Sequence, residues 1–171
     1  MLKIPRYAHQ AIAQTISVSA AIGLSFLLSF AGDTRPSTIS AEQFAIGGVT
    51  LGADKVAELI KAFGKPVEIR SEETEAGPDT AKTYLFEGVE AYTQSGELLN
   101  LQCTSPTYTT PDGAKVGDTL DTIFKIYGKT YVRDRGDAGL IGYGVGETDV
   151  ALLFHIKDGR VFKIELWFNY T

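Results

Sequence analysis

The residues suited to nucleophilic chemistry are few. His155 is the one histidine after residue 31, and Cys103 is the one cysteine of the chain. A Cys or Ser nucleophile needs a base within hydrogen-bond reach, most often a histidine. We assign no catalytic residue from this set. We expect Cys103 to behave as a small buried hydrophobe, and His155 to belong to a solvent-facing or binding surface.

Metal and cofactor sites are not indicated either. One cysteine and one such histidine cannot form a structural zinc site. The acidic residues after the first predicted helix (Glu68, Glu72, Glu73, Glu75 and Asp79) lack the spacing and the fixed glycine of a calcium loop, so we predict a solvated acidic loop. The glycines between Gly136 and Gly146 precede a predicted strand, whereas phosphate-binding loops precede a helix. We therefore predict no metal and no cofactor.

Aromatic side chains are the stronger candidates for a functional surface. Tyr92, His155 and Trp167 alternate with the apolar residues of their predicted strands, and Tyr143 is a fourth candidate. Aromatic side chains on a sheet are typical of protein-binding surfaces, because they offer large contact areas with few rotatable bonds. We predict that these four residues bind a partner. Packing beneath loops or between two halves of the chain is the open alternative.

An internal repeat indicates which elements position these residues. Residues 54–65, DKVAELIKAFGK, resemble residues 118–129, DTLDTIFKIYGK, with Asp, Lys, Gly and Lys at corresponding positions. Duplication of a structural unit is the simplest cause of such a pattern.

Each copy of the repeat predicts a short helix. Apolar residues fall at i, i+3, i+4 and i+7: Val56, Leu59, Ile60 and Phe63 in the first copy, and Leu120, Ile123, Phe124 and Tyr127 in the second. We expect Asp54 and Asp118 to be the N-caps. We expect Gly64 and Gly128 to end the helices with a positive φ.

Strands follow each helix. Alternating apolar residues surround Ser95-Gly96 and Asp158-Gly159, which predicts two hairpins with tight turns. In their second strands we expect two apolar sets to face the helices: Leu99, Leu101 and Cys103, and Phe162, Ile164 and Leu166. Further strands are predicted near 83–87 and 140–145. The predicted fold is α+β, with two tandem helix-plus-β-meander repeats (46–107 and 108–171) forming one continuous antiparallel sheet with the helices on one face.

The N-terminal region predicts export. Lys3 and Arg6 precede an apolar and serine-rich run, and Ser29-Phe30-Ala31 fits a signal-peptidase site, so residues 1–31 are predicted to be a secretory signal peptide. Residues 32–45 are predicted to be a linker. The expected location is secreted or extracytoplasmic, in the periplasm or cell envelope. An uncleaved leader is the alternative, and it is the only membrane attachment that we expect.

Charge narrows the choice of partner. Loss of Lys3 and Arg6 with the leader changes the net charge from −5 to −7. Nucleic acids and anionic lipids attract basic surfaces, so we predict neither as a partner. A protein partner is the prediction.

The residues Gly52, Val56, Phe63, Gly64, Lys65 and Pro66, followed by Tyr84-Leu85-Phe86 and a strand-Ser-Gly-strand hairpin, resemble the repeat of β-lactamase inhibitor proteins. The motif is also similar to that of small outer-membrane lipoproteins that support barrel assembly. A second match runs from Val116-Gly117 to Val161. The resemblance implies two helix-plus-sheet units whose curved sheet grips another protein. The inhibitors carry disulfides in each half and the lipoproteins a lipid-bearing cysteine, and this chain has neither, so no contact residue is carried over.

The functional hypothesis is an exported, non-enzymatic protein-binding module, in the role of an inhibitor or an envelope-assembly factor. Two alternatives stay open. A small secreted hydrolase would use two carboxylates, whose separation is a property of the fold. A small-molecule carrier would use the space between helices and sheet.

Overall fold

The structure is a computed structural model that describes residues 38–74, 77–130, 132–134 and 138–168. The predicted signal peptide, residues 1–31, lies outside the described residues, as do residues 32–37 of the predicted linker and Glu75 of the predicted acidic loop. All described residues belong to one compact unit. Within these ranges, no helix has both the length and the apolar character that crossing a membrane requires.

The described residues form two α-helices and ten strands. In chain order they are β1 (Thr38–Ile39), β2 (Gly52–Ala53), α1 (Val56–Phe63), β3 (Glu68–Thr74), β4 (Gly77–Phe86), β5 (Val89–Gln94), β6 (Glu97–Cys103), α2 (Leu120–Tyr127), β7 (Arg133–Asp134), β8 (Gly139–Val145), β9 (Val150–Lys157) and β10 (Arg160–Phe168). A short 3-10 helix, Ala41–Gln43, follows β1.

All ten strands belong to one sheet. Its order is β1-β8-β9-β10-β6-β5-β4-β3, with β2 paired to β6 and β7 paired to β8. Every pair is antiparallel except β1 with β8. The β6–β10 pair joins the strands that follow α1 to those that follow α2, from Ile164 opposite Cys103 to Trp167 opposite Asn100. The prediction of an α+β fold with a continuous, largely antiparallel sheet is confirmed.

The core lies between the sheet and the two helices. One buried row crosses six strands, and its members are Ile141, Phe154, Ile164, Cys103, Val89 and Phe86. Phe63 of α1 contacts Phe86, with ring centroids 5.7 Å apart. Tyr127 of α2 contacts Phe154, with centroids 5.5 Å apart. Both helices therefore cover the same face, as predicted.

Cys103 is fully buried in this core. Burial raises the pKa of its thiol, so the thiolate form is disfavoured. This agrees with the expected role of a small hydrophobe.

The predicted helix starts are wrong by one residue. The N-caps are Lys55, which makes no side-chain capping bond, and Thr119, whose hydroxyl accepts from the Thr122 amide at 3.2 Å. Asp118 instead accepts from the Lys115 amide, at 2.9 Å. Asp54 has a φ of 56°, which is incompatible with the extended backbone that an N-cap adopts.

The predicted helix ends are confirmed at Gly64 and Gly128. Their φ angles are 84° and 89°, with ψ of −160° and 158°. This region of backbone space is essentially restricted to glycine, because a Cβ atom would clash with the chain itself. Each glycine amide donates to a carbonyl of the last helical turn, Ile60 or Phe124.

Both hairpins carry a bulge next to their turn. Ser95-Gly96 and Asp158-Gly159 have positive φ at both residues, the signature of a type I′ turn. The register then shifts between Tyr92 and Thr93 and between Val161 and Lys163. The extra residue changes which side chain faces inward.

The second bulge corrects the predicted orientation of Phe162, since Val161 occupies the core position that we predicted for it. At the first bulge Leu98 joins the core cluster, and Leu99 is buried as well. The strict alternation assumed for the sequence does not hold across a bulge, since two successive side chains share one face there. Phe162 is consequently 42% exposed.

The structure also corrects the prediction that Tyr143 is a binding residue. It is fully buried, on the helix-facing side of β8, opposite Leu152. Its ring packs against Tyr127 and Phe154, and its hydroxyl donates to the Gly128 carbonyl at 2.7 Å. Tyr143 therefore stabilises the core and the end of α2.

Two segments are more ordered than predicted. Residues 38–45 contain β1 and the 3-10 helix, with Ile39 and Phe44 buried, so this part of the predicted linker belongs to the fold. The predicted acidic loop is largely strand, because Glu68, Glu72 and Glu73 lie in β3. The loop prediction was wrong because it rested on residue type, and acidic residues are disfavoured in strands on average.

The helix-ending glycines yield a test of backbone strain. We expect Gly64→Ala and Gly128→Ala each to lower the free energy of unfolding by about 1–3 kcal/mol, because alanine must adopt a disfavoured φ. No atom lies within 4 Å of the added Cβ at either site, so the loss is conformational. Urea unfolding is the measurement. Gly144→Ala is the matched control, since its added Cβ also meets open space and its φ is not positive. Equal stability of all three variants would contradict this interpretation.

The buried tyrosines predict an alkaline limit to stability. Burial is the main cause that raises the pKa of Tyr127 and of Tyr143 to about 12. Between a pKa of about 10 in the unfolded chain and about 12 in the fold, unfolding releases protons, so the free energy of unfolding falls as pH rises. Urea unfolding at about pH 8 and about pH 11 measures this loss. We expect a smaller loss in Tyr143→Phe, and an unchanged loss would contradict the assignment.

Candidate functional site

The sheet face turned away from α1 and α2 is called the open face. Strand register arranges its side chains in three rows. The first holds Ala151, Trp167, Asn100, Tyr92 and Thr83; the second Leu153, Glu165, Gln102, Glu90 and Leu85; the third Leu140, His155 and Lys163. Neither α1 nor α2 lies on this face, because both pack on the core side.

Three of the four predicted site residues lie on the open face. Trp167 is 42% exposed. The His155 side chain is 16% exposed, and Tyr92 is half-buried. Trp167 and Tyr92 share one row, separated by Asn100, which places their strands about 9.5 Å apart at ordinary strand spacing.

Glu165 lies at the centre of the open face and was missed in the sequence. Its side chain is only 6% exposed, although it is charged. Asn100 Nδ2 donates to its Oε1 at 2.7 Å, and His155 Nε2 bonds its Oε2 at 2.7 Å. Lys163 Nζ lies 3.5 Å from the same Oε2. The alternation of Lys163, Glu165 and Trp167 with apolar residues on β10 is the sequence signal that points to it.

The polar centre continues from Glu165 through Lys163. Lys163 Nζ donates to Gln102 Oε1 at 3.0 Å, which links β10 to β6 a second time. Throughout the described part of the chain, every buried side-chain nitrogen and oxygen has a hydrogen-bond partner. Such fully satisfied networks hold their members in one geometry.

Opposing effects act on the Glu165 carboxyl. Burial alone raises its pKa, because the charged form loses water. Hydrogen bonds from His155 and Asn100 and the charge of Lys163 outweigh burial and hold the pKa below its usual range. Glu165 is therefore ionised at neutral pH, and the His155 nitrogen that faces it carries the proton.

Phe162 was also missed, because the bulge that exposes it leaves no clear mark in the apolar pattern. Its ring centroid lies 5.9 Å from that of His155, in an edge-on arrangement. Phe162 and Trp167, each 42% exposed, thus lie on the same strand as Glu165. The open face presents aromatic side chains around a buried, hydrogen-bonded centre.

Cys103 and His155 do not form the nucleophile–base pair that cysteine catalysis would need. Cys103 faces the helices, in the core row that includes Ile164, whereas His155 faces the other side of the sheet. In the described ranges, no three His, Cys, Asp or Glu side chains are grouped closely enough to hold a metal ion. A cavity of about 230 Å³ opens at the end of the second row, between Leu85, Glu90, Gln102 and Thr104.

Comparisons with known proteins leave the family open. No family model and no curated protein matches the chain. An extracellular protein containing an SCP domain from Bacillus anthracis is similar in structure, with 8% identity and a TM-score of 0.44, over 79% of this chain and 47% of that one. The chain therefore spans about half of that protein. A DUF4309 family protein from Bacillus subtilis is similar with 18% identity and a TM-score of 0.41, over 71% of this chain and 83% of that one.

The lowered pKa of Glu165 predicts acid-dependent stability. A pKa that is lower in the fold than the value of about 4.3 for a free glutamate stabilises the fold above that value, and the contribution is lost as pH falls through the folded pKa. We expect Glu165→Gln to lower the free energy of unfolding by about 1.5–3 kcal/mol near neutral pH, because charge-assisted hydrogen bonds are lost. The difference from the wild type should shrink toward about pH 3.

Urea unfolding of both proteins across this pH range measures the effect. Glu90→Gln is the control, since Glu90 is an exposed glutamate in the same row. Parallel stability curves for the wild type and Glu165→Gln would contradict a native-state interaction of the charged carboxylate.

Proposed function

We propose that this chain is an exported, non-enzymatic protein-binding module that engages its partner with the open face. The observation that carries the proposal is the pair of exposed aromatic side chains, Trp167 and Phe162, on the strand that also holds the buried Glu165. Exposed aromatics on rigid strands lose little conformational entropy on binding. A satisfied polar centre beneath them limits the desolvation cost of docking.

The scaffold supports this proposal through its rigidity. Glu165 connects β9, β10 and β6 through side chains, because His155 lies on β9 and Asn100 on β6. Trp167 lies directly opposite Asn100, and Phe162 packs on His155. The aromatic side chains are therefore neighbours of fixed polar groups, which favours binding of a preformed surface.

We further propose that the two halves arose by duplication. The support is local geometry: both helices end at glycines with the same unusual backbone, and both hairpins have a type I′ turn followed by a bulge. His155 and Tyr92 occupy corresponding places beside these bulges. Divergence of this position would give the two halves different surface chemistry on one shared sheet.

Export is proposed from the N-terminal sequence, with its basic start, apolar run and small residues before Gly32. The acidic charge of the remaining chain agrees with a protein partner rather than a nucleic acid. Inhibition of an enzyme and support of envelope assembly are the two roles that the repeat resemblance suggests.

The alternatives receive less support from the same geometry. A hydrolase of the two-carboxylate type needs a general acid with a raised pKa beside an ionised carboxylate, and the lowered pKa of Glu165 fits only the second of these roles. A carrier would need space between helices and sheet, where Leu59, Phe63, Ile123 and Tyr127 pack into the core instead.

The test begins with capture from the exported proteins of the host, followed by titration of the purified partner. Trp167 is the only tryptophan of the chain, so its emission reports directly on the open face. We expect the partner to shift this emission to shorter wavelength as water is excluded. We expect Trp167→Ala and Phe162→Ala each to weaken binding roughly 30-fold, the effect of a hot-spot aromatic worth about 2 kcal/mol.

The control removes exposed apolar surface elsewhere. Ile60 and Val67 are 46% and 76% exposed and lie outside the open face, so Ile60→Ala and Val67→Ala should leave affinity unchanged. His155 is kept intact, because its removal would leave Glu165 short of a partner. Unchanged affinity in the natively folded Trp167→Ala and Phe162→Ala variants would overturn the proposed binding face.

A further inference from the structure

The outer edge of β3 is a surface that the proposed function does not use. Among the described residues, β3 pairs with β4 on one side and has no strand on the other. It is seven residues long, Glu68–Thr74. A free strand edge exposes main-chain donors and acceptors that can pair with another strand.

Large apolar side chains are exposed at this edge. Of the five exposed large hydrophobic residues in the described part of the chain, Val67 lies just before β3 and Ile69 lies within it. Val67 is 76% and Ile69 53% exposed. Ile69 lies opposite Tyr84, whose ring packs against the core, so Ile69 faces the helix side of the sheet.

The charges of β3 complement those of a second copy in one antiparallel alignment. Glu68 and Arg70 flank Ile69 and already form a bidentate pair within the chain, at 2.8 and 3.0 Å. If Ile69 of one copy lies opposite Ile69 of another, Glu68 of each copy faces Arg70 of the other. Opposite charges at directly opposed positions stabilise a strand pair.

The same alignment introduces no like-charge pair within β3. Other two-fold alignments are worse. Centring on Arg70 sets Arg70 against itself and Glu68 against Glu72. Centring on Ser71 also brings Arg70 opposite Glu72, but it sets the apolar Ile69 against Glu73. Charges normally protect an edge from pairing, but here the two Glu68–Arg70 pairs together with the self-paired Ile69 favour the Ile69-centred register.

We propose that two copies of this chain associate through β3, antiparallel and centred on Ile69, to form a symmetric dimer with one continuous sheet. The two-fold axis is perpendicular to the sheet, so both open faces lie on the same side. Four charges, Glu68 and Arg70 of each copy, alternate in sign around the axis. The dimer surface is separate from the open face, so this inference stands or fails independently of the proposed function.

Sedimentation velocity of the protein produced from the full 171-residue sequence, over a range of concentrations, is the first test. We expect a concentration-dependent monomer–dimer equilibrium. Glu68→Arg and Arg70→Glu should each weaken association at least about tenfold, because each brings like charges together. An equimolar mixture of the two variants should restore association, because every facing pair is then opposite in charge.

Glu58→Lys is the matched control, since it reverses an exposed charge of an ion pair outside β3. It should leave association unchanged. Urea unfolding of each variant verifies the fold. A monomer at every concentration, or a dimer indifferent to both β3 reversals, would overturn the proposal.

Oxidative crosslinking tests the register itself. The Cα atoms of directly opposed antiparallel residues lie about 4.5–5.5 Å apart, within the range of a disulfide. We expect Ile69→Cys to crosslink two copies on mild oxidation and Ser71→Cys not to do so, because residue 71 lies opposite Val67. The native Cys103 is fully buried and does not compete. Crosslinking of Ser71→Cys alone would overturn the Ile69-centred alignment.

Discussion

The pairing of β6 with β10 is the interaction on which the rest of the structure depends. It merges the strands that follow α1 with those that follow α2, so that one core runs beneath both helices. On the helix side the seam contributes Cys103 and Ile164 to the buried row. On the open face it is crossed by two side-chain hydrogen bonds, Asn100 to Glu165 and Lys163 to Gln102. Hydrophobic burial supplies most of the stabilisation of such a seam, and the polar bonds specify its register.

The seam also explains how a carboxylate can be buried on the sheet face turned away from α1 and α2. Glu165 lies on the central strand, where neighbouring side chains from β9 and β6 reach it from both sides. A charge in this position is tolerated because each oxygen has a partner, and the loss of one partner would leave an uncompensated charge. The open face and the structural seam are thus coupled. We expect substitutions of His155 or Asn100 to change both the open face and the β6–β10 seam. Substitutions of Trp167 should change the open face alone.

Several elements could be predicted from sequence because they follow from local rules. The helical spacing of Leu59 and Phe63, the glycines that end both helices, and the turns at Ser95-Gly96 and Asp158-Gly159 each have a short-range physical cause. The bulges do not, since one extra residue reverses side-chain orientation without altering composition. Phe162 was therefore assigned to the wrong face. Tyr143 was misassigned because its alternation with glycines gives no apolar pattern to show which face is buried.

The site was less predictable than the fold for a related reason. Trp167 and His155 stand out by residue type, but Glu165 acquires its significance from Asn100, which is 65 positions away in sequence. Such a contact is created by the β6–β10 register and leaves no local trace. β3 was missed because its acidic composition favours loop, whereas pairing with β4 and packing of the hairpin decide its conformation.

The position of β1 has a kinetic consequence. Thr38 and Ile39 pair in parallel with Gly144 and Val145. β1 therefore cannot pair until a segment more than a hundred residues later in the sequence is present. Contacts of such separation require closure of a long loop and form slowly compared with hairpins. A chain emerging N-terminus first cannot complete its sheet until β8 is available. The edge of the sheet that β1 forms is therefore completed late in folding, after the local hairpins are in place.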